Sequence, residues 1–575
     1  MLRRIFSYMK EYKKYAWLAL ICIGVEVVLE IMVPKLMADL IDIGVTNSDV
    51  PYIINKGIQM AVCAVAALIL GEGSARFSAL AGQGLGANIR KAEYEKLQSY
   101  SFSNIDHFSV SSLVTRLTSD VTNIQNAVST GMRPFGRSPV MLIFATTLAF
   151  QINSTLALVF LVALPVLAVL LIIIIINVGP RYGRMQGAVD LVNRCIEENL
   201  TAVRVVKSYV RGDYEIEKFR NVNDNLKNES EKAFGIAVLN MPAMQFVMYS
   251  TILGILLIGG RLINSGQMMI GQLTSFLSYV LLILNSLMMM SNVFLLMTRS
   301  LASAERIMKV IDEPIDITDE NAKDIEVKKG EIEFNHVWFK YKDTAKEYVL
   351  SDVSFHINAG QTVGIIGQTG SSKTTLIQLI PRLYDASKGE IKIDGISVKE
   401  YPVRHLRDAI SVVLQKNTLF SGSLIDNLRW GDENATLDEI KEACSIACVD
   451  EFIDRLPGGL DAEMGQEGVN VSGGQKQRIC IARAILKKPK VLILDDSTSA
   501  VDTATEGKIR NALAKKLPDM TKIIIAQRIS SVCHADQIII MDGGRVDAIG
   551  THESLLRTNK IYQEIYESQK EGADL

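Results

Sequence analysis

The chain has no paired-cysteine signature. Its 7 cysteines in 575 residues are scattered, with no CxxC and no zinc-ligand spacing. That removes a disulfide framework and a structural zinc site. Cys444 and Cys448, four apart on an expected helix, read as small buried apolar residues. An excess of one charge is also missing. Lys and Arg number 61 against 63 Asp and Glu, a net charge of −2, so nothing marks nucleic acid as a partner. The basic N-terminus, MLRRIFSYMKEYKKYAW, lacks a small-residue cleavage site and reads as an uncleaved interfacial helix entering a membrane span.

What is abundant is apolar. Hydrophobic residues make up 48% of the chain and the mean hydropathy is +0.20, high for a wholly soluble protein. The apolar runs are confined to the first 300 or so residues. They predict six spans, near 16–40, 58–82, 134–152, 155–178, 241–263 and 271–297. The fourth, TLALVFLVALPVLAVLLIIIIINV, carries no charge. Its 24 residues make about 36 Å of helix, enough for a bilayer core of about 30 Å. A wholly soluble chain is thereby excluded. The segment after span four is rich in Lys and Arg, from Arg181 to Lys232, whereas the loops after spans one, three and five are short and nearly uncharged. An excess of Lys and Arg marks the cytoplasmic side. Both termini and the two long loops are therefore expected there, as helices continuing past the membrane.

Several spans carry polar groups: Glu26, Glu30, Lys35 and Asp39 in span one, Glu72 and Arg76 in span two, Arg133 and Arg137 entering span three. Ionisable groups at membrane depth are costly unless they face protein or water. They read either as ion pairs, with Lys35 and Asp39 at i,i+4 spacing, or as the lining of a substrate path. Met288, Met289, Met290 and Met297 suit either packing or an adaptable apolar contact surface for drugs.

The character changes after the spans. Residues 1–310 read as the membrane domain, 311–328 as a charged connector and 329–575 as a soluble domain in which short β-rich runs alternate with helices. Val363 to Gly367 is a buried strand. GQTGSSKT follows (Gly367, Gln368, Thr369, Gly370, Ser371, Ser372, Lys373, Thr374), then a helix. A loop between strand and helix is the setting a phosphate loop requires, with backbone N–H groups converging on an anion. Lys373 would reach the β- and γ-phosphates of ATP, and the Thr374 hydroxyl would ligate Mg²⁺. The usual loop has glycine where Ser372 stands, which matters if that position needs positive φ. VLILDD ends a second buried strand, where Asp495 can hold Mg²⁺ through water and Asp496 follows. Between the two lies VSGGQKQR, whose Ser472, Gly473, Gly474 and Gln475 open a helix as a second anion-binding terminus.

With these three motifs in order, the chain resembles the ATP-binding cassette exporters that fuse six transmembrane helices to one nucleotide-binding domain. The resemblance implies a helical transmembrane domain with long cytoplasmic extensions. The second domain it implies is an α/β P-loop domain with a RecA-like core and a helical subdomain. It matches Tyr341 to the aromatic that stacks on adenine and Gly367 to Thr375 to the Walker A loop. Gln415 matches the glutamine that senses Mg²⁺ and the membrane domain, Val471 to Gln475 the signature, and Asp495 the Walker B aspartate. Glu463 to Gly468 match the loop before the signature, and Ser499 to Asp502 the D-loop. IDHFSVSSLVTRLTSDV and YVRGDYEIEKF resemble the two cytoplasmic coupling segments.

Three positions depart from that family's pattern, all on the Walker side. Ser372 replaces glycine. Asp496 stands where hydrolysing members place the glutamate that polarises the attacking water, one methylene shorter. Gln527, in IAQRIS, stands where they carry a switch histidine that contacts the γ-phosphate, and an amide can donate a hydrogen bond there but cannot carry the imidazolium charge. His534, seven residues on, reads as a surface or structural histidine. In this family, two domains pair head-to-tail, each ATP lying between one domain's Walker motifs and the other's signature. An altered Walker side with an intact signature thus resembles the degenerate-site subunit of bacterial heterodimeric multidrug exporters. The implied setting is the bacterial inner membrane, with a second half-transporter as partner and a small hydrophobic compound as cargo. A homodimeric lipid or peptide flippase and a nucleotide-gated regulator without transport are the alternatives.

Overall fold

The computed structural model describes residues 1–342, 344–496 and 501–571. The chain divides into two compact units. One comprises 1–97 and 111–312; the other comprises 98–110 and 313–575. The segment 98–110, read from sequence as part of the membrane half, groups with the second unit.

The first unit is helical. The expected spans coincide with helices, the first running one residue past its helix: Lys13–Asp39, Val50–Gln98, Met132–Ile152, Ser154–Thr201, Asn240–Asn264 and Ile270–Ile311. Among the described residues, five helical segments are long and apolar enough to cross a membrane. Several side chains of 155–178 lie outside the described residues. Helices of this length carry every backbone hydrogen bond internally, which is what a bilayer demands. Pro34 interrupts that ladder in the first span. There the Tyr279 hydroxyl donates to the Ile31 carbonyl at 3.0 Å, and the Ser275 hydroxyl donates to the Pro34 carbonyl. Two side chains of the last span thus brace the interrupted turn.

Of the polar groups in the spans, Glu26, Glu30, Asp39, Arg133 and Arg137 form ion pairs. Arg133 reaches Glu26 at 2.7 Å, and Arg137 bridges Glu26 at 3.1 Å and Glu30 at 2.6 Å. Glu26 is 5% exposed. Gly71 of the second span leaves the room. A Cβ there would lie 3.2 Å from Glu26 Oε1 and 3.3 Å from Arg133 Nη2. The expected pairing of Lys35 with Asp39 is not the one formed, since Asp39 binds Lys56 at 2.9 Å. The helix spacing allowed the local pair, but Lys56, on the next helix, sits closer.

The second unit holds two main sheets and one short antiparallel pair, β7 (Gly422–Ser423) with β8 (Glu463–Met464). β1 (Ile332–Phe339), β2 (Leu350–Ile357), β4 (Lys388–Ile393) and β5 (Ile396–Ser397) form an antiparallel sheet in the order β2-β1-β4-β5. The larger sheet runs β12 (Arg545–Gly550), β11 (Gln537–Asp542), β3 (Thr362–Ile366), β10 (Thr521–Ile525), β9 (Val491–Asp495), β6 (Ile410–Val413). All its neighbours are parallel except the β11–β12 pair. β9 and β10 are buried at every position, as parallel strands covered on both faces must be. Phe334, Phe355, Val363, Ile365, Leu376 and Ile523 belong to one hydrophobic core. A second gathers Ile479, Ile481, Leu492, Leu494, Ile538 and the helices around them. All seven cysteines are free, and burial pushes the Cys444 thiol up to about 12, so it is an inert packing group.

Candidate nucleotide site

β3, β10 and β9 are adjacent and parallel, so their C-terminal ends lie side by side. The Gly367–Thr374 loop, the Asp495–Asp496 pair and the stretch holding Gln527 follow those ends. Ligands of open α/β sheets bind at that edge.

The loop after β3 is built on close backbone approach. A Cβ on Gly367 would sit 2.2 Å from the Met541 carbonyl, so only glycine fits. Ser372 adopts φ 70°, ψ 24°, the left-handed conformation that costs an L-residue about 1–2 kcal/mol. Ser372 thus occupies a left-handed position that glycine adopts without that cost. Lys373 opens the following helix, Lys373–Leu379. Its ammonium donates to the carbonyls of Gly367 and Gln368, both at 2.8 Å, and to Ser371 Oγ at 3.2 Å. Burial holds its pKa below the usual lysine range, opposed by Asp496 and Asp495. Replacing Ser372 with Gly should relieve most of the strain but return about 0.5–1 kcal/mol through a more flexible unfolded chain. We expect a net gain of about 0.5–1 kcal/mol, read as a rise of about 1–3 °C in the unfolding temperature of the nucleotide-binding unit.

Thr374 and Asp495 meet across the strand ends. The Thr374 hydroxyl donates to Asp495 Oδ1 at 3.2 Å. Asp495 Oδ2 is buried and has no partner, and burial raises the carboxyl above its ordinary range, against the Thr374 hydrogen bond. A buried orphan acceptor beside a hydroxyl is a fitting place for a divalent cation that arrives with a nucleotide. Among the described residues, no trio of His, Cys, Asp or Glu makes a free-standing metal site. Gln415 follows β6 by two residues on the exposed side, at the strand next to β9.

The two remaining departures from pattern are bonded to each other. Gln527 Nε2 donates to Asp496 Oδ2 at 2.8 Å. Asp496 itself has φ 46°, a conformation aspartate tolerates better than glutamate does. Burial raises its carboxyl, and the Gln527 hydrogen bond opposes that. The Asp496 carbonyl also accepts from Gln477 Nε2 at 3.3 Å. An open cavity of about 870 Å³ adjoins this pair, lined also by Arg528, Ser530, His552, Tyr566 and Gln569.

Tyr341 stands beside the loop helix. Its hydroxyl lies 2.9 Å from Thr375 Oγ1, and its ring meets Tyr384 edge-on at 5.2 Å. The residue is 44% exposed. Tyr384 in turn donates to Asp106 at 2.6 Å, tying the aromatic pair to the short helix Phe102–His107, part of the first coupling-like segment. Ser472 caps the helix Gly473–Leu486 through a reciprocal box: its N–H donates to Gln475 Oε1 at 2.9 Å while Gln475 N–H returns to Ser472 Oγ. Among the described residues, no hydrogen bond joins this signature to the Gly367–Thr375 loop. Of the expected D-loop, Ser499 and Ala500 lie outside the described residues, and Asp502 caps the next helix, Thr503–Lys516. Gln477 and Gln569 were not foreseen. Gln477 sits just past the signature, and Gln569 carries no motif.

Membrane-length helices and a phosphate-loop unit on one chain define a class: a membrane transporter half that brings its own nucleotide site. The ABC transporter transmembrane region family matches residues 16–287, and the ABC transporter family matches 350–499. The chain belongs to the ABC transporter family, as an exporter half-transporter. It is 37% identical over its whole length to an uncharacterized ABC transporter ATP-binding protein of Bacillus subtilis, YfiB, covering 100% of both chains. It is 32% identical to an ATP-dependent lipid A-core flippase of Pseudomonas putida, over 98% of this chain and 95% of that one. The fold matches a bacterial Atm1-family ABC exporter with ATP bound at a TM-score of 0.83, with 22% identity and 98% of each chain covered.

Proposed function

We propose that this chain is one half of an ATP-driven exporter of hydrophobic or amphipathic compounds whose own Walker side holds ATP but hydrolyses it poorly. The observation that carries this is the Asp496–Gln527 bond. The carboxylate that should face an attacking water is short and already engaged by an amide, and misplacement by about 1 Å can cost about 10²-fold in rate. The loop residues Gly367 to Thr375 bind the phosphates and Tyr341 stacks on adenine. Thr374, Gln415 and Asp495 would hold Mg²⁺, which neutralises phosphate charge when bound. The signature, Ser472 to Gln475, completes a competent site on the Walker motifs of a different half-transporter. Both termini and the nucleotide-binding unit face the cytoplasm of a bacterial cell, and cargo leaves from the cytoplasm or the inner leaflet. A 31% identical relative in Bacillus subtilis bears the name of a putative multidrug export ATP-binding/permease protein, which is in keeping with small apolar cargo.

A homodimeric lipid flippase is the second reading, favoured by the flippase relative. The purified chain, reconstituted alone in lipid, separates the two. We expect ATP turnover well below about 1 s⁻¹, under the usual enzyme range. Brisk turnover without a second subunit would sink the heterodimer reading.

A further inference from the structure

The last helix, Lys560–Glu571, reaches the switch segment. Tyr562 anchors it in the core with no exposure, its hydroxyl 2.7 Å from His552 Nδ1. Tyr566 and Gln569 follow at i+4 and i+7, so all three share one face. Gln569 uses both ends of its amide on the switch. Its Nε2 donates to the Gln527 carbonyl at 2.7 Å, and its Oε1 accepts from the Ile529 N–H at 2.9 Å. β10 stops at Ile525, so the strand ladder has ended where these two backbone groups flank Arg528. The Gln527 side chain then extends from the clamped backbone to Asp496.

We propose that Gln569 is a positioning residue that sets the aim of Gln527 at the γ-phosphate, making the C-terminal helix a working part of the nucleotide site. This rests on the reading above that Gln527 occupies the switch position. A clamp on the γ-phosphate contact has a selective signature. ADP lacks that phosphate, so losing the clamp should weaken the hold on a triphosphate and spare the diphosphate. Two hydrogen bonds to backbone groups are at stake, enough for about a tenfold change.

The test uses the full chain in lipid nanodiscs with Mg²⁺, measuring release of AMP-PNP and of ADP. Gln527→Ala and Gln569→Met are compared, the latter keeping side-chain length while removing both bonds. We expect each to speed AMP-PNP release about tenfold with ADP release within twofold. The double variant should add little to either, because the residues act as one unit. Gln563→Ala is the control. It removes a tie from the same helix to the Leu556 carbonyl, 2.7 Å long, without touching the switch, and should leave the AMP-PNP to ADP ratio unchanged. If Gln569→Met does not fold, Gln569→Asn shortens the reach and serves the same comparison. Equal loss of both nucleotides in the Gln569 variant would mean a merely structural helix and overturn the proposal. A selective effect of Gln527→Ala without one at Gln569 would overturn the clamp and keep the switch. No selectivity at Gln527 would bring down both.

Discussion

Asp496→Glu combined with Gln527→His will raise ATP turnover at this site by about 10²-fold in the assembled transporter. The added methylene carries the carboxylate about 1.5 Å further, roughly one C–C bond, toward where an attacking water must lie. The imidazole restores a group that can carry positive charge against the γ-phosphate. Neither change alone should achieve this. With Asp496→Glu only, the Gln527 amide still competes for the carboxylate, as it now does at 2.8 Å. With Gln527→His only, the carboxylate remains short. The pair should therefore exceed the product of the single effects, as bonded neighbours do. Glutamate fits φ 46° less well than aspartate, so the domain should lose about 1 kcal/mol of stability while gaining rate. Phosphate release from proteoliposomes holding both subunits is the measurement. Unchanged turnover with nucleotide binding intact would remove Asp496 and Gln527 from the roles assigned to them.

The parts of the site that could be read in the sequence are those whose chemistry is contiguous. GQTGSSKT between an apolar strand and a helix, VLILDD and VSGGQ each combine local backbone geometry with the side chains that use it. Even the strain at Ser372 follows from one position in one loop. What stayed hidden depends on tertiary placement. Asp496 and Gln527 are separate oddities in the chain, and only the adjacency of β9 and β10 makes them partners. Gln569 lies 42 residues beyond Gln527 on a helix with no motif, and an amphipathic pattern cannot say what its polar edge will touch. The same limit explains Asp39. Helix spacing offered Lys35, whereas the fold brought Lys56 within 2.9 Å. Spans and their charges were legible because a bilayer imposes length and composition on each helix independently.

The span charges carry the other large effect. Arg137→Ala should destabilise the membrane unit by about 3–5 kcal/mol, the usual outcome of breaking a buried ion pair from one side. Arg137 bridges two acids of the first span, Glu26 at 3.1 Å and Glu30 at 2.6 Å. Removing it leaves Glu30 without its arginine and Glu26 with Arg133 alone, in a unit where burial and lipid both disfavour an uncompensated charge. Charge balance, rather than any particular bond, should therefore govern the result. Arg137→Ala together with Glu30→Gln leaves one arginine and one glutamate, the Arg133–Glu26 pair at 2.7 Å, and should recover most of the loss. Thermal unfolding in detergent micelles would register the single variant as a drop of roughly 6 °C or more, with the double variant close to the parent. If instead the double variant is as unstable as the single one, Arg137 acts through packing and not through charge. If the single variant unfolds like the parent, water already reaches these acids and the spans enclose a wet path at that depth.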